Sequence, residues 1–376
     1  MQTSKAKPPV SAAAVKTIGI VGAGQLGRML ALAGYPLGLQ FVFLDKSPDS
    51  PGGQVARIIP GEFNDPRKLA ELAASVDLLT YDVENVSVDA LGDIPKSKTF
   101  LPPVAALATG QDRLLEKELF QELRIPTARY RAVDSMPELE EAIQAIGYPA
   151  VLKTRRLGYD GRGQRFIRSP AELGSAFNAL GGVPLILEQF IEFSREVSII
   201  GVRSRSGQTA FYALAENRHR DGILRISMAP YHDKKLQALA QKHALRIMRH
   251  FDYAGVFTIE FFVSRGQLIA NETAPRVHNS GHWTIEGAVT SQFENHLRAL
   301  LDLPLGDTTT TGFSAMVNFI GQMPERDAVL KIPGAHYHDY GKQPRPARKL
   351  GHATLVCKTR KQLAACLKKF PGLVDD

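Results

Sequence analysis

The six residues Gly22-Ala23-Gly24-Gln25-Leu26-Gly27 constrain the fold more than any other stretch of this chain. They follow an apolar run, Thr17 to Val21, and open a helical pattern that reaches about Leu37. A second apolar run follows, Leu39 to Asp45. Two strands joined through a helix pair in one sheet by lying parallel, with a right-handed crossover. The pattern repeats: Asp65-Pro66, an N-cap followed by a first-turn proline, opens another helix ahead of the run Val76 to Tyr81. Residues 17–110 are therefore expected to be an α/β domain with helices on both faces of a parallel sheet.

That domain is Rossmann-like, and the glycine loop with Asp45 at the end of the next strand matches the dinucleotide fingerprint. There, glycines admit a pyrophosphate to a helix N-terminus and the acid holds a ribose hydroxyl. Taken alone, it indicates an NAD-dependent oxidoreductase. A tight turn with an Asp capping a strand uses the same residues without any ligand, so the rest of the chain decides.

At 376 residues the chain exceeds the ~250 to 300 that one core sustains, so more than one domain is expected. Near Pro102-Pro103 the pattern changes to a helical stretch, Asp112 to Leu123, halted by Ile125-Pro126. Residues 111–311 then offer strands at Ala150 to Thr154, up to Arg168, Leu185 to Phe190, Glu196 to Val202 and Gln208 to Ala215. Helices open at Ser169-Pro170 and run from Lys234 to Phe251, ahead of a strand pair, Gly255 to Val263 and Gln267 to Glu272. Mostly antiparallel pairing implies an α+β domain. Residues 312–376 form a small β-rich region closed by a helix, Lys361 to Phe370, while residues 1–16 lack the apolar core of a secretory signal and read as a disordered tail.

Composition excludes several classes. The net charge of +8 is spread along the chain, without the basic stripe of a nucleic-acid binder. Arg155-Arg156 and Lys368-Lys369 read as solvated faces. An enzyme handling several phosphates needs such counter-charge. No stretch approaches the ~20 uninterrupted apolar residues of a membrane span. Two cysteines, Cys357 and Cys366, make neither a disulfide framework nor a four-sulfur metal site, which fits a reducing, cytoplasmic compartment.

The chemistry gathers in the middle. Glu260, flanked by Ile259 and Phe261, faces Asn271-Glu272 across a short Ser264-Arg265-Gly266 turn, and paired carboxylates are hard ligands suited to Mg²⁺ that carries nucleotide phosphates. Lys153 ends an apolar strand ahead of Gly158-Tyr159-Asp160-Gly161-Arg162-Gly163-Gln164, a charge and a glycine-rich loop that together clamp phosphates. That loop lacks the Gly-Lys-Ser/Thr ending of a P-loop. At Glu188-Gln189-Phe190-Ile191 a strand end offers backbone groups to an adenine edge, with Glu188 accepting from its amino group and Glu196 placed for ribose hydroxyls.

Together these pieces resemble the ATP-grasp fold, and within it the N5-carboxyaminoimidazole ribonucleotide synthetases. The resemblance is carried by the Gly22 to Gly27 loop, Gln111-Asp112-Arg113, the Gly158 to Gln164 loop, Glu216-Asn217-Arg218-His219, Asn271 through Thr284 (NETAPRVHNSGHWT), Tyr340-Gly341-Lys342 and Arg348-Lys349-Leu350-Gly351-His352. It implies that ATP lies on Arg113, Lys153, the glycine-rich lid, Glu188 to Ile191, Glu196, His219, Asn271 and Glu272, with Mg²⁺ or Mn²⁺ on Glu260 and Glu272. It implies further that aminoimidazole ribonucleotide sets its phosphate on Gly24, Gln25, Leu26, Lys342, Arg348 and Lys349, and its ring and ribose among Glu84, Arg276, His278 and Asn279. Bicarbonate would be activated as carboxyphosphate, with Asp160 handling the proton, Lys349 its charge partner and Arg276 among the charge-stabilising arginines. A homodimer is the family's pattern. A formate-using ribonucleotide ligase is the nearest alternative within the class. The chain departs from the family in Asp82, where Glu is usual, and in Ala347, where Gly is usual.

Overall fold

Three sheets organise the chain in the computed structural model, which describes residues 15–95, 97–158 and 161–370. The first is wholly parallel: β1 (Thr17–Val21), β2 (Gln40–Asp45), β3 (Arg57–Pro60), β4 (Leu78–Tyr81) and β5 (Thr99–Phe100), in the order β3-β2-β1-β4-β5. Its central strand is hydrophobic along its length because helices cover both faces, and Ile18, Ile20 and Val21 are fully buried. The strand order reverses at β1, which opens a crevice beyond the carboxyl ends of β1 and β4. The glycine turn and Asp82 to Glu84 lie at that crevice. The chain is tied down earlier than a tail through Lys16 would allow: Val15 is buried, and the Lys16 carbonyl accepts from Gln40 N at 2.7 Å.

The second sheet is antiparallel: β6 (Tyr130–Val133), β7 (Ala150–Thr154), β8 (Gln164–Ile167) and β9 (Leu185–Gln189), in the order β6-β9-β7-β8. Helices Met136–Ile146 and Leu173–Leu180 close its core through Leu139, Ile143 and Ala176. The third sheet has nine strands: β10 (Arg195–Arg203), β11 (Thr209–Phe211), β12 (Ala215–Arg220), β13 (Ile223–Ala229), β14 (Gly255–Ser264), β15 (Gln267–Ala274), β16 (Phe313–Ile320), β17 (Ala335–Asp339) and β18 (Lys349–Cys357). Their order is β15-β14-β10-β12-β13-β16-β18-β17, with β11 on β10, so the last three strands of the chain extend the sheet that carries Glu260 and Glu272. Helix Lys234–His250 covers one part of it through Leu236, Ala240, Ala244 and Ile247.

Where sequence pattern and structure part, the cause is a polar strand. The run Gln208 to Ala215 is not one strand: β11 ends at Phe211, and Ala215 begins the β12–β13 hairpin. Glu216-Asn217-Arg218-His219-Arg220 carries no hydrophobic alternation, yet Glu216 and Asn217 are buried at the head of β12.

Ala347 has φ +61°, a left-handed conformation, in the turn where Arg348 N donates to Arg345 O at 3.1 Å. A Cβ there costs ~1–2 kcal/mol, against ~0.4–1 kcal/mol for the extra unfolded-state freedom of glycine. Ala347→Gly should therefore stabilise the protein by about 0.5–1 kcal/mol. Equilibrium urea unfolding checks this, and a midpoint that stays put or falls argues against strain at Ala347.

Candidate active site

The glycine turn shows how local geometry overrides motif. Gly22 has φ +97°, and a Cβ on it would lie 1.8 Å from Asp82 Oδ1, so only glycine fits. Asp82 Oδ2 accepts from Gly27 N at 2.8 Å, at the start of helix Gln25–Gly34. Asp45 Oδ2 accepts from Ala23 N at 2.7 Å, and its Oδ1 accepts from Ser50 Oγ at 2.7 Å. The acid that a dinucleotide would need for its ribose is thus bound to its own turn, and a buried carboxylate already occupies the helix N-terminus. Burial raises the Asp82 carboxyl to about 6; the Gly27 N–H draws it down and Asp45 pushes it up. The dinucleotide reading is not favoured.

The turn opens onto a cleft of about 1510 Å³. Gly24, Gln25, Leu26 and Glu84 line it from the first sheet, Lys153, Gly158, Gly161 and Gln164 from the second, and Glu196, His219, Glu260, Asn271, Glu272, Arg276, His278, Asn279 and Lys349 from the third, with Arg113 between. Most residues singled out in the sequence therefore meet in one place. Tyr159 and Asp160 lie outside the described residues. Arg162, Gly163, Lys342 and Arg348 do not line the cleft, although Lys342 Nζ donates to Gln25 Oε1 and so joins the C-terminal segment to the glycine turn. Arg348 donates to Gln343 O at 3.0 Å.

At one end of the cleft, Arg276 Nε meets Glu84 Oε1 at 3.0 Å; Glu84 is raised by burial, with Arg276 opposing. Asn279 and Asn318 exchange reciprocal amide hydrogen bonds of 3.1 and 2.7 Å, which fixes the Asn279 amide. His278 Nδ1 lies 2.9 Å from Ser280 Oγ and its Nε2 3.7 Å from Glu260 Oε1, and burial holds it well below the usual histidine range.

At the other end, Lys153 Nζ donates to Glu188 Oε2 at 3.0 Å, and Lys117 Nζ lies 3.6 Å from the same oxygen. Burial alone would raise Glu188, but Lys117, Lys153 and Arg113 together hold it at about 2. Glu188 is committed to lysines, Gln189 N and Phe190 N donate to Arg129 O and Pro149 O, and Glu188, Gln189, Phe190 and Ile191 do not line the cleft. Phe190 instead sits edge-on to Phe166, which does line it, with ring centroids 6.0 Å apart. Arg155 is likewise no solvated residue: its guanidinium forks onto Asp112 at 3.0 and 2.8 Å.

Glu260 and Glu272 are direct cross-strand partners, set beside a bulge that makes Asn271 the extra residue of β15. Arg113 Nη1 reaches Glu272 Oε2 at 3.3 Å. Burial raises Glu260 to about 7, with His219 opposing and Glu272 and Glu196 adding to the rise. Two facing carboxylates, Glu260 buried and kept from full charge by its neighbours and Glu272 partly exposed to the cleft, fit a hard divalent cation. A second group, Glu196, His219 and Glu260, has ligand atoms within 4.8 Å of one another. Its histidine lies 2.7 Å from Glu196 Oε2. Burial lowers His219, but the Glu196 hydrogen bond and the charges of Glu260, Glu196 and Glu272 lift it to about 9, and that hydrogen bond already engages its Nδ1. The Glu260–Glu272 pair is the better donor set.

A lysine strand, a glycine-rich loop and a carboxylate pair facing a Rossmann-like crevice define an ATP-grasp protein. Residues 15–111 match the ribonucleotide synthetase preATP-grasp domain, 118–293 the ATP-grasp domain and 314–365 the phosphoribosylaminoimidazole carboxylase C-terminal domain. The N5-carboxyaminoimidazole ribonucleotide synthase of Pseudomonas aeruginosa is 48% identical over 95% of this chain and 99% of its own, and that of Brucella melitensis 47% over 90% and 96%. Among solved structures, the N5-carboxyaminoimidazole ribonucleotide synthetase from Thermus thermophilus superposes with a TM-score of 0.91 at 52% identity, covering 96% of this chain and 99% of that one. An Aspergillus clavatus N5-carboxyaminoimidazole synthase, solved with ADP and 5-aminoimidazole ribonucleotide, superposes at 0.89 and 31% identity, covering 94% and 97%. The chain belongs to the N5-carboxyaminoimidazole ribonucleotide synthase family.

His219 gives the cleft a titration that can be read directly. Its folded value lies above the ~6.5 of free histidine, so its contribution to stability is full below about pH 6.5 and is lost as pH rises through about 9. In NMR the His219 ring should titrate near 9, and Glu196→Gln should lower that midpoint by about one unit or more. An unchanged midpoint in the variant would show that Glu196 is not what holds the proton.

Proposed function

We infer that the protein carboxylates 5-aminoimidazole ribonucleotide with bicarbonate, consuming ATP and giving N5-carboxyaminoimidazole ribonucleotide, ADP and phosphate. The observation that carries this reading is that one cleft joins two chemically distinct ends. Lys153, Arg113 and the Glu260–Glu272 pair suit a nucleotide triphosphate; the Gly24 turn, Lys349, Asn279 and the Arg276–Glu84 pair suit a phosphorylated ribonucleotide. ATP and the ribonucleotide are thus small-molecule substrates of neighbouring subsites.

A bicarbonate oxygen attacks the γ-phosphorus, ADP leaves, and the resulting carboxyphosphate breaks down to CO₂ and phosphate. The exocyclic amine captures the CO₂ and gives up a proton, for which Asp160 is the proposed acceptor, with Lys349 as its charge partner. Lys153 and Arg113 stabilise the charge that develops on the transferring phosphoryl group. Mg²⁺ on Glu260 and Glu272 supplies further neutralisation of phosphate charge when bound. A closed cleft keeps water from the activated carboxyl group. We propose a cytoplasmic homodimer, as the family resemblance implies.

Glu260→Ala and Glu272→Ala should each lower turnover by ~100-fold or more while circular dichroism is retained. ADP release should be slow with ATP alone and fast once aminoimidazole ribonucleotide and bicarbonate are both present. Lys349→Ala should raise the KM for the ribonucleotide more than that for ATP. Near-normal turnover in Glu272→Ala would sink the metal assignment. Formate replacing bicarbonate would move the protein to the neighbouring ligases, and saturable NADH binding without ribonucleotide-stimulated ADP release would overturn the ligase reading.

A further inference from the structure

Strand β15 is the edge of the nine-stranded sheet, and beyond Ala270, which bridges to Pro126 and Thr127, its outward backbone groups have no strand to pair with. Helix Arg113–Glu122 supplies partners for two of them. Lys117 Nζ donates to Asn271 O at 2.6 Å, and Glu116 Oε1 accepts from both Thr273 N and Thr273 Oγ1 at 2.6 Å. The held residues flank Glu272 on either side. Asn271 is also the extra residue of the bulge that separates the pairing Glu260–Glu272 from Phe261–Ala270. A bulge re-aims the side chains next to it, and its direction is set by whatever holds the displaced backbone.

Lys117 is an unusual residue for that duty. It is 1% exposed, does not line the cleft, and sits with its ammonium 5.6 Å from the centroid of the Phe120 ring. A buried ammonium costs several kcal/mol unless paired and hydrogen-bonded. Its partners are the bulge carbonyl and Glu188, the carboxylate that also holds Lys153. One cation therefore touches the backbone that aims Glu272 and the carboxylate that holds Lys153, and it reaches neither substrate subsite.

We propose that Lys117 is a positioning residue for the phosphate end of the cleft, acting by holding the Asn271 bulge so that Glu272 stays opposite Glu260. The inference deepens the functional reading above and rests on it. Through Glu188, Lys117 also limits how far the Lys153 ammonium can travel. Lys117→Met keeps the length and the packing on Phe120 but removes the hydrogen bond to the bulge, and Glu188 remains paired with Lys153.

The test is a double-mutant cycle of Lys117→Met with Glu272→Ala, read both as ADP release and as Mn²⁺ binding to the ADP complex by electron paramagnetic resonance. Lys117→Met alone should weaken Mn²⁺ binding and lower kcat by about 10-fold or more. The KM for the ribonucleotide should stay within about twofold, since that subsite lies at the other end of the cleft. Added to Glu272→Ala, it should cause little further loss, because residues acting through one group are not additive. Independent losses that multiply in the double variant, or a Lys117→Met enzyme with normal Mn²⁺ affinity, overturn the inference while leaving the functional reading standing. An unimpaired Glu272→Ala enzyme overturns the inference together with the metal assignment it rests on. Should Lys117→Met fail to fold, Lys117→Leu, which likewise carries no donor for the bulge carbonyl, takes its place in the same cycle with the same outcomes.

Discussion

The carboxylate of Glu188, buried between Lys153 and Lys117, is the interaction on which the arrangement of the cleft depends. It ties β7 to β9 within the small sheet and, through Lys117, ties that sheet to helix Arg113–Glu122. The same helix grips β15 on the large sheet. Three elements from different parts of the chain are thus referenced to one buried charge. Removing one partner of such a group leaves an uncompensated ion and typically costs ~3–5 kcal/mol, whereas replacing the whole cluster with packed hydrophobics is often neutral. Stability alone does not call for ions here, but a phosphate-binding role would, because Lys153, next to the end of β7, would have to stay charged inside a buried cleft. Burial lowers the Lys153 ammonium, and Glu188 is the group that opposes the fall.

Around that centre charged groups form a chain in which opposite charges meet except at the Glu260–Glu272 pair. Arg113 faces Glu272, Glu272 faces Glu260, Glu260 is near His219, and His219 is bound to Glu196. Each group is held by a neighbour that a ligand could replace: phosphate oxygens can take over Arg113 and Lys153, and a divalent cation can take over the two carboxylates. A site preorganised in this way needs little rearrangement when charge moves during phosphoryl transfer. At the far end, the Gln25–Lys342 contact and Lys349 on β18 bring the C-terminal strands against the first sheet, so a ribonucleotide bound there would draw on both ends of the chain.

Much of this was legible in the residues. The βαβ pattern gave the parallel sheet, and the hairpin spacing placed Glu260 beside Glu272, because period and turn length are local properties. What escaped was set by tertiary contact. Lys117 sits among charged residues of a helical stretch, where nothing in the spacing marks it as buried, yet its neighbours bury it completely. The hairpin β12–β13 hides because its first strand is polar, and it is polar because it lines the cleft with His219. After Glu188, a strand end with free backbone groups looks the same in sequence as one whose Gln189 and Phe190 N–H groups already donate to Arg129 and Pro149. The Gly22 to Gly27 loop shows the limit of a motif. Its glycines are required, but by the carboxylate of Asp82 packed against them.

That last point bears on how the cleft accepts its ligands. Three buried carboxyls, Asp82, Glu116 and Glu260, are raised to between about 6 and about 7, mainly by burial. They stand at different depths: Asp82 under the glycine turn, Glu116 on the β15 edge, Glu260 opposite Glu272. Near neutral pH each is partly protonated, so the cleft does not carry the full negative charge that its acid count suggests. A divalent cation at Glu260 would displace a proton, so its binding there is linked to pH in a way that binding at an exposed carboxylate is not. Asp82 has no such cation; its counter-charge is the N-terminal end of helix Gln25–Gly34. A ribonucleotide phosphate at Gly24 to Leu26 would therefore meet a helix end already partly neutralised. The charge to hold it must come from outside that helix, which is where Lys342 and Lys349, from the C-terminal strands and their connection, stand.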